Sequence, residues 1–441
     1  MKFVVIGGNA AGMSAASRVK RKNPACEVVV LEQTYEVSYG ACGLPYYIAG
    51  LNDDIDLIRI RSVETFQNSG IKVCLGCTAT SVDYGAKKVH YTDADGTALE
   101  IDYDKLLIAS GSSPKIPPIP GVEQEGIFQL KTLQHAQELK EALQGQPKHV
   151  VIVGGGYIGL ELAEACILQH AASIRIIEAM DRLLNLFDPE FSEAAKAELE
   201  RHGVSIHTSE RVQRFEGDGK VQRIVTDQGS YEADLVILSI GISPNTGFTG
   251  GDIEKLPNGA LVTNEAMETS MPDVYAAGDC ATVWHKILDK PMQIALGTNA
   301  NKQGRLAGDS VLGKPVSFKR ALGTSMLRCM NMEFAKTGLS EQECRANNIS
   351  MKCRTVETRS HARYYPDAVT LTIKLCYREN DHVILGAQIM GPKEAAWRID
   401  TFACAIDQEM TTEELGFLDL GYAPPFASVW DAVQIASNAS K

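Results

Sequence analysis

The chain opens on the pattern that decides its fold: Lys2-Phe3-Val4-Val5-Ile6, then Gly7-Gly8-Asn9-Ala10-Ala11-Gly12, then a helical stretch to about Lys22. The apolar run predicts a buried β-strand, and the glycines predict a tight turn into the helix. A second strand is predicted at Glu27–Leu31, and Glu32 ends it, twenty residues after Gly12. Such glycines let the backbone approach a pyrophosphate at the helix N-terminus, and the acid accepts hydrogen bonds from a ribose.

The same pattern occurs again in the middle of the chain. The strand His149–Val153 leads into Gly154-Gly155-Gly156-Tyr157-Ile158-Gly159, a helix to about His170, and a strand Ser173–Ile177 that ends in Glu178. One such pattern has an alternative explanation as structural turn glycines, but two copies that each keep their acid are far more specific. Two adenine dinucleotides on one chain indicate a flavin and a nicotinamide.

Glu178 also bears on the choice of nicotinamide. A carboxylate beside the ribose repels the 2′-phosphate of NADPH, so the sequence favours NADH. Arg175 and Arg182 lie nearby in the sequence and leave NADPH open.

Further segments complete this plan. Two more apolar runs, one ending in Ser110-Gly111 and one followed by Gly241, predict the return strands of the two nucleotide domains. A short strand ending in Gly278-Asp279 offers an acid for a ribityl hydroxyl, with a helix beyond it facing the flavin. From about Leu322 the glycine patterns stop. Alternating stretches at Val369–Leu375 and Ile384–Ile389 predict an antiparallel sheet flanked by helices.

Composition excludes several kinds of partner. The 441 residues carry a formal net charge of −12, which argues against nucleic acid. No apolar run has the roughly 18 to 20 residues that a membrane helix needs. The amino terminus is too short for a secretory signal, and eleven cysteines do not form a disulfide framework, so a cytoplasmic location is expected. Cys74 and Cys77 lack a second pair or a nearby histidine, so packing is predicted there rather than a metal site.

The segment Ser38-Tyr39-Gly40-Ala41-Cys42-Gly43-Leu44-Pro45-Tyr46-Tyr47 carries a family resemblance. It resembles the single-cysteine branch of the pyridine nucleotide-disulfide oxidoreductases, and the resemblance extends over essentially the whole chain. Other members carry two cysteines separated by four residues, whereas this chain has Tyr47 at the second position. No local disulfide with Cys42 is therefore expected.

The resemblance implies an α/β fold with two Rossmann-like domains, for FAD and for NAD(P)H, and an α+β C-terminal dimerisation domain. It implies an FAD-binding domain formed by residues 1–112 and 245–321, an NAD(P)H-binding domain at 113–244, and a dimerisation domain at 322–441. In the implied homodimer, the dimerisation domain of one subunit completes the partner's active site. The implied FAD residues are Gly7, Gly8, Ala11, Gly12, Glu32, Ser110, Gly111, Gly278 and Asp279. Those for the nicotinamide are Gly154, Gly156, Tyr157, Ile158, Gly159, Glu161, Glu178 and Gly241.

Within the branch, the chain is most similar to coenzyme A-disulfide reductases. Its Arg363-Tyr364-Tyr365-Pro366 and Tyr422-Ala423-Pro424-Pro425-Phe426 segments resemble the tyrosines that line their disulfide pocket. The resemblance implies Cys42, Tyr364 and Tyr422 as catalytic residues, and coenzyme A contacts at Ser14, Arg18, Arg21 and Ser38. The substrate is then coenzyme A disulfide or a related persulfide or polysulfide. Two positions depart from that pattern, Ala41 in place of asparagine and Trp430 in place of a basic residue.

The sequence leaves three alternative functions open. In NADH oxidases and peroxidases of this branch a histidine stands where this chain has Ala10, which counts against oxygen or peroxide as the substrate. In such an enzyme Cys42 cycles through a sulfenic acid. A reductase of a small electron-transfer protein is another alternative, and a redox-sensing flavoprotein with negligible turnover is a third.

Several local roles have two interpretations. Tyr157 is either a lid over the flavin or an aromatic packed in the core, and Glu161 either faces the cofactors or lies on the surface. The basic helix end containing Arg18 and Arg21 either binds coenzyme A or complements the helix dipole. For Cys42, the helix start predicted at Gly43-Leu44-Pro45 lowers the thiol pKa by about one unit.

Overall fold

The computed structural model describes residues 1–440, which form two compact units. The first comprises Met1–Lys115, Leu130–Leu139 and Gly241–Ala321. The second comprises Ile116–Gln129, Lys140–Ile240 and Leu322 to the end of the described chain.

The first unit is built on a five-stranded parallel sheet. Its first strand, Lys2–Ile6, lies between Glu27–Leu31 and Lys105–Ile108, as the first glycine pattern predicts. Helix Ala10–Lys22 covers one face and packs closely against helix Gly297–Val311. The remaining elements are the strands Ile71–Cys74, Thr78–Asp83, Lys88–Thr92, Ala98–Asp102, Ser112–Pro114, Ile242–Pro244, Val274–Ala276, Val283–His285 and Lys290–Met292, the helices Leu44–Ile48 and Val63–Asn68, and the 3-10 turns Ala41–Gly43, Ile55–Ile58 and Gly247–Thr249.

The second unit contains another five-stranded parallel sheet. Val150–Val153 pairs with Ile174–Ile177 on one side and with Leu235–Leu238 on the other. The predicted strand–turn–helix–strand order is confirmed, with helix Tyr157–Leu168 between the first two strands. This part of the unit also has the strands Ile127–Gln129, Ser205–His207, Val212–Gly217, Val221–Thr226 and Ser230–Glu232 and the helix Pro189–Arg201, and helix Leu133–Gln144 runs from the first unit into the second.

The C-terminal part of the second unit is an antiparallel sheet with helices beside it, which confirms the predicted change of architecture. The two strands predicted from the sequence extend over Thr370–Arg378 and Ile384–Gly391. The sheet order is Ser325–Cys329, Met332–Gly338, Ile384–Gly391, Thr370–Arg378 and Met351–Arg359. The helices are Glu341–Ala346, Ile399–Asp407, Thr412–Gly416 and Ala432–Asn438, and Ala396–Arg398 forms a 3-10 turn.

The cysteines correct one expectation. The eleven scattered cysteines predict no disulfide framework, yet Cys353 and Cys376 form a disulfide. They are directly opposite each other on adjacent antiparallel strands, where side chains on one face approach closely. Their separation of 23 residues gave no local signal of this pairing.

A buried ion cluster joins the two sheets within the second unit. The side chain of Lys374 is 7% exposed, and its ammonium lies 3.0 Å from Asp188, 2.9 Å from Glu190 and 2.8 Å from Glu341. Gln388 also donates to Asp188, at 2.6 Å. Asp188 begins helix Pro189–Arg201, so this cluster fastens the nicotinamide-type domain to the C-terminal sheet.

Among the described residues, no helix combines the length and the apolar character needed to cross a membrane.

Candidate active site

The first glycine loop is shaped by close backbone approaches. A Cβ at Gly12 would lie 1.9 Å from the Gly7 carbonyl oxygen, so the helix meets the strand only because this residue is glycine. Glu32 reaches this loop, and its Oε2 accepts a hydrogen bond of 2.6 Å from the Gly8 amide. The acid of the pattern therefore lies beside the helix N-terminus, where a ribose and a pyrophosphate of FAD would bind.

Asn9, which stands at a position usually held by glycine, connects this loop to the cysteine segment. Its side chain does not cap helix Ala10–Lys22 but accepts a hydrogen bond of 3.1 Å from the Tyr39 amide. In the described chain this helix has no side-chain cap and no acid in its first turn. Its N-terminal amides are thus available to an anion, which fits the diphosphate of FAD.

The segment before Cys42 is held firmly against the glycine loop. Ser38 has a left-handed backbone with φ of 50°, and its amide donates to the Gly8 carbonyl at 3.0 Å. Its own carbonyl accepts from Ile60, at 2.8 Å. The family resemblance predicts substrate contact for Ser38, and its backbone also positions the cysteine segment.

Cys42 is exposed and is not disulfide-bonded. It lies in the 3-10 turn Ala41–Gly43, directly before helix Leu44–Ile48, which has Pro45 in its first turn. The helix start predicted from the sequence is confirmed. The lowering of the thiol pKa stays a prediction.

Asp279 is held by two partners that the sequence did not reveal. Its Oδ2 accepts hydrogen bonds from Ser112 at 2.8 Å and from the Lys131 ammonium at 3.0 Å. A helix follows beyond Asp279, as predicted, but it does not begin at once. Two short strands, Val283–His285 and Lys290–Met292, intervene, and the helix begins only at Gly297. The other predicted residues around this strand are Ser110, which donates to the Asn245 carbonyl, and Gly7, Gly111 and Gly278, which all have positive φ.

The second glycine loop repeats the geometry of the first within the second unit. Glu178 accepts a hydrogen bond of 2.6 Å from the Gly155 amide, just as Glu32 accepts one from the Gly8 amide. Gly156 begins helix Tyr157–Leu168, and a Cβ there would meet no protein atom within 4 Å. Space above this residue is what a bound pyrophosphate requires, so the loop fits a nicotinamide dinucleotide. Gly154 and Gly241 have positive φ, Gly159 packs on the Gly154 carbonyl, and Ile158 is 40% exposed.

Tyr157 adopts the packed orientation of its two predicted roles. Its hydroxyl hydrogen-bonds Ser325 at 2.7 Å, and its ring lies 6.1 Å from that of Phe187. Burial raises the pKa of Tyr157 to about 12. The lid role requires the hydroxyl to leave Ser325, and it stays a prediction.

Glu161 is half-buried rather than a plain surface residue. Burial, followed by repulsion from Glu164, raises its pKa to about 7. A carboxyl that titrates near neutrality is typical of functional sites, which supports the cofactor-facing role.

The two arginines near Glu178 are engaged elsewhere. Arg175 donates to His207 and stacks over the Tyr231 ring at 4.2 Å. Arg182 pairs with Asp181 at 3.1 Å. Both arginines thus have other partners in this structure, and the preference for NADH stays a prediction.

Tyr364 and Tyr422, 58 residues apart in sequence, are brought together in the C-terminal domain. Their hydroxyls hydrogen-bond each other, and both side chains are exposed, at 74% and 45%. The hydrogen bond to Tyr364 raises the pKa of Tyr422. The pair thus presents two phenol hydroxyls to solvent, and its role as a proton donor stays a prediction.

The basic helix end is only partly available to an anionic substrate. Arg18 forms a nearly buried ion pair with Asp309, at 2.7 Å, and this hydrogen bond lowers the pKa of Asp309. Arg21 is exposed. Ser14 donates to Asn301 at 3.0 Å. Of the predicted phosphate ligands, Arg21 is therefore better placed than Arg18, which has an internal partner.

No group of three or more metal-ligating side chains occurs among residues 1–440. Cys74 and Cys77 flank the Glu32 strand end instead. The Glu32 amide donates to the Cys74 carbonyl at 2.9 Å, and the Cys77 amide donates to the Glu32 carbonyl at 2.8 Å. Burial raises the pKa of both thiols, as packed cysteines show.

Two dinucleotide loops define a nucleotide-dependent oxidoreductase, and Cys42 adds an exposed thiol on a fixed segment. The family model for pyridine nucleotide-disulphide oxidoreductases matches residues 1–304. The model for the dimerisation domain of the same family matches residues 326–433. The chain belongs to the pyridine nucleotide-disulphide oxidoreductase family. Membership implies FAD and NAD(P)H as cofactors, and the dimerisation domain indicates a homodimer.

Individual relatives cover the chain from end to end. The NAD(P)H coenzyme A polysulfide/persulfide reductase of Pyrococcus horikoshii is 36% identical, over 100% of this chain and 98% of its own. An NADH oxidase of Enterococcus faecalis is 31% identical, over 100% and 99%. The structure of an NAD-dependent persulfide reductase from A. fulgidus matches with a TM-score of 0.96 at 34% identity, over 100% of this chain and 83% of that one.

Proposed function

We propose that this protein reduces coenzyme A disulfide, or a related coenzyme A persulfide or polysulfide, with NAD(P)H. The observation that carries this is Cys42, an exposed thiol on a fixed segment with Tyr47 where a second cysteine would stand. Because the chain offers no local second sulfur, the disulfide partner of Cys42 must come from the substrate.

The chemistry follows from thiol–disulfide exchange. The Cys42 thiolate attacks one sulfur of the substrate, forming a mixed disulfide and releasing one coenzyme A thiolate. FAD held at the first glycine loop, beside Gly8 and Glu32, would supply the two electrons of NADH that reduce and cleave this mixed disulfide. Cleavage returns the Cys42 thiolate and releases the second coenzyme A thiol. The sum is one NADH and one proton consumed, one disulfide reduced, and two thiols formed.

The leaving thiolate needs a proton, and the Tyr364–Tyr422 pair is the proposed source. Either hydroxyl can donate while the other stabilises the resulting phenolate by its hydrogen bond. The partner subunit's C-terminal domain is proposed to supply this pair to the Cys42 site. The remaining proposed contacts are Arg21, Ser14 and Ser38 for coenzyme A, with Arg18 held by Asp309.

Oxygen is the main competing substrate, because NADH oxidases are among the relatives. Ala10, at the start of helix Ala10–Lys22, carries no group that can handle a peroxide oxygen. We therefore expect kcat/KM for coenzyme A disulfide to exceed that for oxygen and peroxide in NADH-consumption assays. A much larger value with oxygen would overturn the proposal. Mass spectrometry of unreduced protein adds a direct check: a coenzyme A adduct on Cys42 is expected, whereas a sulfenic or sulfinic acid supports the oxidase.

Glu178→Ala tests the nicotinamide preference. Removing the carboxylate that faces the ribose position removes its repulsion of the 2′-phosphate, so the ratio of kcat/KM for NADPH over NADH should rise about 10- to 100-fold. Glu193→Ala, an exposed acid on helix Pro189–Arg201, is the control and should leave the ratio unchanged. An unchanged ratio in Glu178→Ala would show that another group selects the nicotinamide.

A further inference from the structure

The two tyrosines are carried by separate loops, and neither side chain is buried enough to hold itself in place. Tyr364 lies between two strands of the C-terminal sheet, and Tyr422 lies in the segment before helix Ala432–Asn438. With 74% and 45% of these side chains exposed, packing alone does not fix the distance between their hydroxyls. What orients them must lie beneath the loops.

Arg398 links the loop that carries Tyr364 to the segment that carries Tyr422 by hydrogen bonds to a backbone carbonyl in or beside each. Its guanidinium donates to the Ser360 carbonyl, just before the Tyr364 loop, and to the Phe426 carbonyl at 3.3 Å, just after Tyr422. An ion pair with Asp431 at 3.1 Å fixes its orientation, and both side chains are only 12% exposed. A guanidinium suits this task because its several donors lie in one rigid plane.

His361 holds the Tyr364 loop from inside. It is 2% exposed, with Nδ1 3.0 Å from the Glu394 carboxylate and Nε2 3.0 Å from the Pro366 carbonyl. Both of these oxygens accept hydrogen bonds, so the ring satisfies both only when it carries a proton on each nitrogen. Its edge also meets Tyr365, with ring centroids 5.6 Å apart.

We propose that Arg398 and doubly protonated His361 are positioning residues that set the geometry of the Tyr364–Tyr422 proton donor. The catalytic importance of this geometry rests on the proposed function, whereas the holding of the loops does not. Misplacement of a reacting group by about 1 Å costs as much as 100-fold in rate, so such a frame affects turnover without touching the substrate.

This arrangement makes the proton donor sensitive to pH. The hydrogen bond to Glu394, followed by that to the Pro366 carbonyl, raises the pKa of His361. Its charge is therefore fully present below the ordinary histidine pKa near 6.5 and is lost as pH rises through the raised value. Loss of the Nδ1 proton removes the bond to Glu394, because Nδ1 can then only accept, from the Ser360 hydroxyl at 3.0 Å, and the loop loses its tie to Glu394. The charged groups around the ring are Glu394, Lys393, Arg398 and Asp431.

The experiment uses the FAD-loaded full-length protein and three variants. His361→Gln and Arg398→Lys weaken the frame, and His382→Gln is a matched control, because His382 also pairs with a glutamate, Glu413, at 2.7 Å in the same domain. Amide hydrogen exchange in residues 362–366 and 422–427 reports the loops. Turnover with coenzyme A disulfide is compared with NADH-driven reduction of ferricyanide, which needs no proton donor for a thiolate.

We expect faster exchange in the 362–366 loop for His361→Gln, in both loops for Arg398→Lys, and in neither for His382→Gln. Disulfide kcat should fall about 10- to 100-fold in the first two variants, with ferricyanide reduction within about 2-fold of wild type. The fall in wild-type disulfide kcat as pH rises through the raised pKa of His361 should be absent in His361→Gln. Unchanged exchange in both loops, or equal losses in both activities, would overturn the proposal.

Two further outcomes separate this inference from the proposed function. If wild-type protein does not reduce any coenzyme A disulfide or persulfide, the proposed function fails, while loop exchange still decides whether the frame exists. If His361→Gln does not fold, the pH dependence of loop exchange in the wild type decides. As pH rises, amide exchange in residues 362–366 should accelerate more than the intrinsic, pH-driven acceleration seen in other loops. If it does not, the role of His361 is refuted.

Discussion

Cys42→Ser should abolish reduction of coenzyme A disulfide, with kcat lower by about 10³-fold or more, the size of loss seen when a covalent nucleophile is removed. A serine hydroxyl cannot form the mixed disulfide through which electrons leave the enzyme. NADH-driven reduction of ferricyanide should stay within about 2-fold of wild type, because that path does not pass through sulfur. Both activities are measured by NADH consumption on FAD-loaded protein.

Cys404→Ser is the matched control for this variant. Cys404 is the other exposed thiol that the structure describes outside a disulfide, and it lies on helix Ile399–Asp407. Its replacement should leave both activities unchanged. If Cys42→Ser kept disulfide turnover, the cysteine would not be the electron exit. Full activity with a small redox protein would then favour an electron-transfer role.

The dinucleotide framework could be predicted from sequence because its determinants are local. Each loop needs glycines within six consecutive residues and an acid at the end of the next strand, and Glu32 and Glu178 both reach their loops as expected. The Cys42 segment was identifiable for the same reason, since the helix start with Pro45 follows within three residues.

Contacts between distant segments could not be predicted in this way. The bond from the Tyr39 amide to Asn9, which explains an asparagine in a glycine position, spans 30 residues. The link from Arg398 to the Ser360 carbonyl spans 38. The disulfide between Cys353 and Cys376 requires the register of two strands, which a single sequence does not specify. The eleven scattered cysteines argued against a disulfide framework and gave no signal of this single pair.

Lys374→Met should lower the free energy of unfolding by about 3 to 5 kcal/mol, or the Tm by roughly 6 to 20 °C. The variant leaves Asp188, Glu190 and Glu341 together without their shared cation. The Asp188 side chain is 1% exposed, so water cannot solvate its charge when the lysine is removed. Thermal unfolding at pH 7 measures the loss. Lys352→Met removes an exposed pair with Glu379 at 3.9 Å and should cost under about 1 kcal/mol.

The pH dependence distinguishes an electrostatic loss from a packing defect. Burial opposes the charge on Asp188, but Lys374 outweighs it and lowers the pKa of this carboxyl, and the hydrogen bond to Lys374 likewise lowers that of Glu341. In the wild type this stabilisation is present above the ordinary carboxyl pKa and is lost as pH falls through the lowered values. Without the lysine, burial raises the pKa of Asp188, so protonation then stabilises the fold. The Tm deficit of Lys374→Met should therefore shrink between pH 7 and pH 5, whereas a deficit independent of pH would mean that lost packing accounts for it.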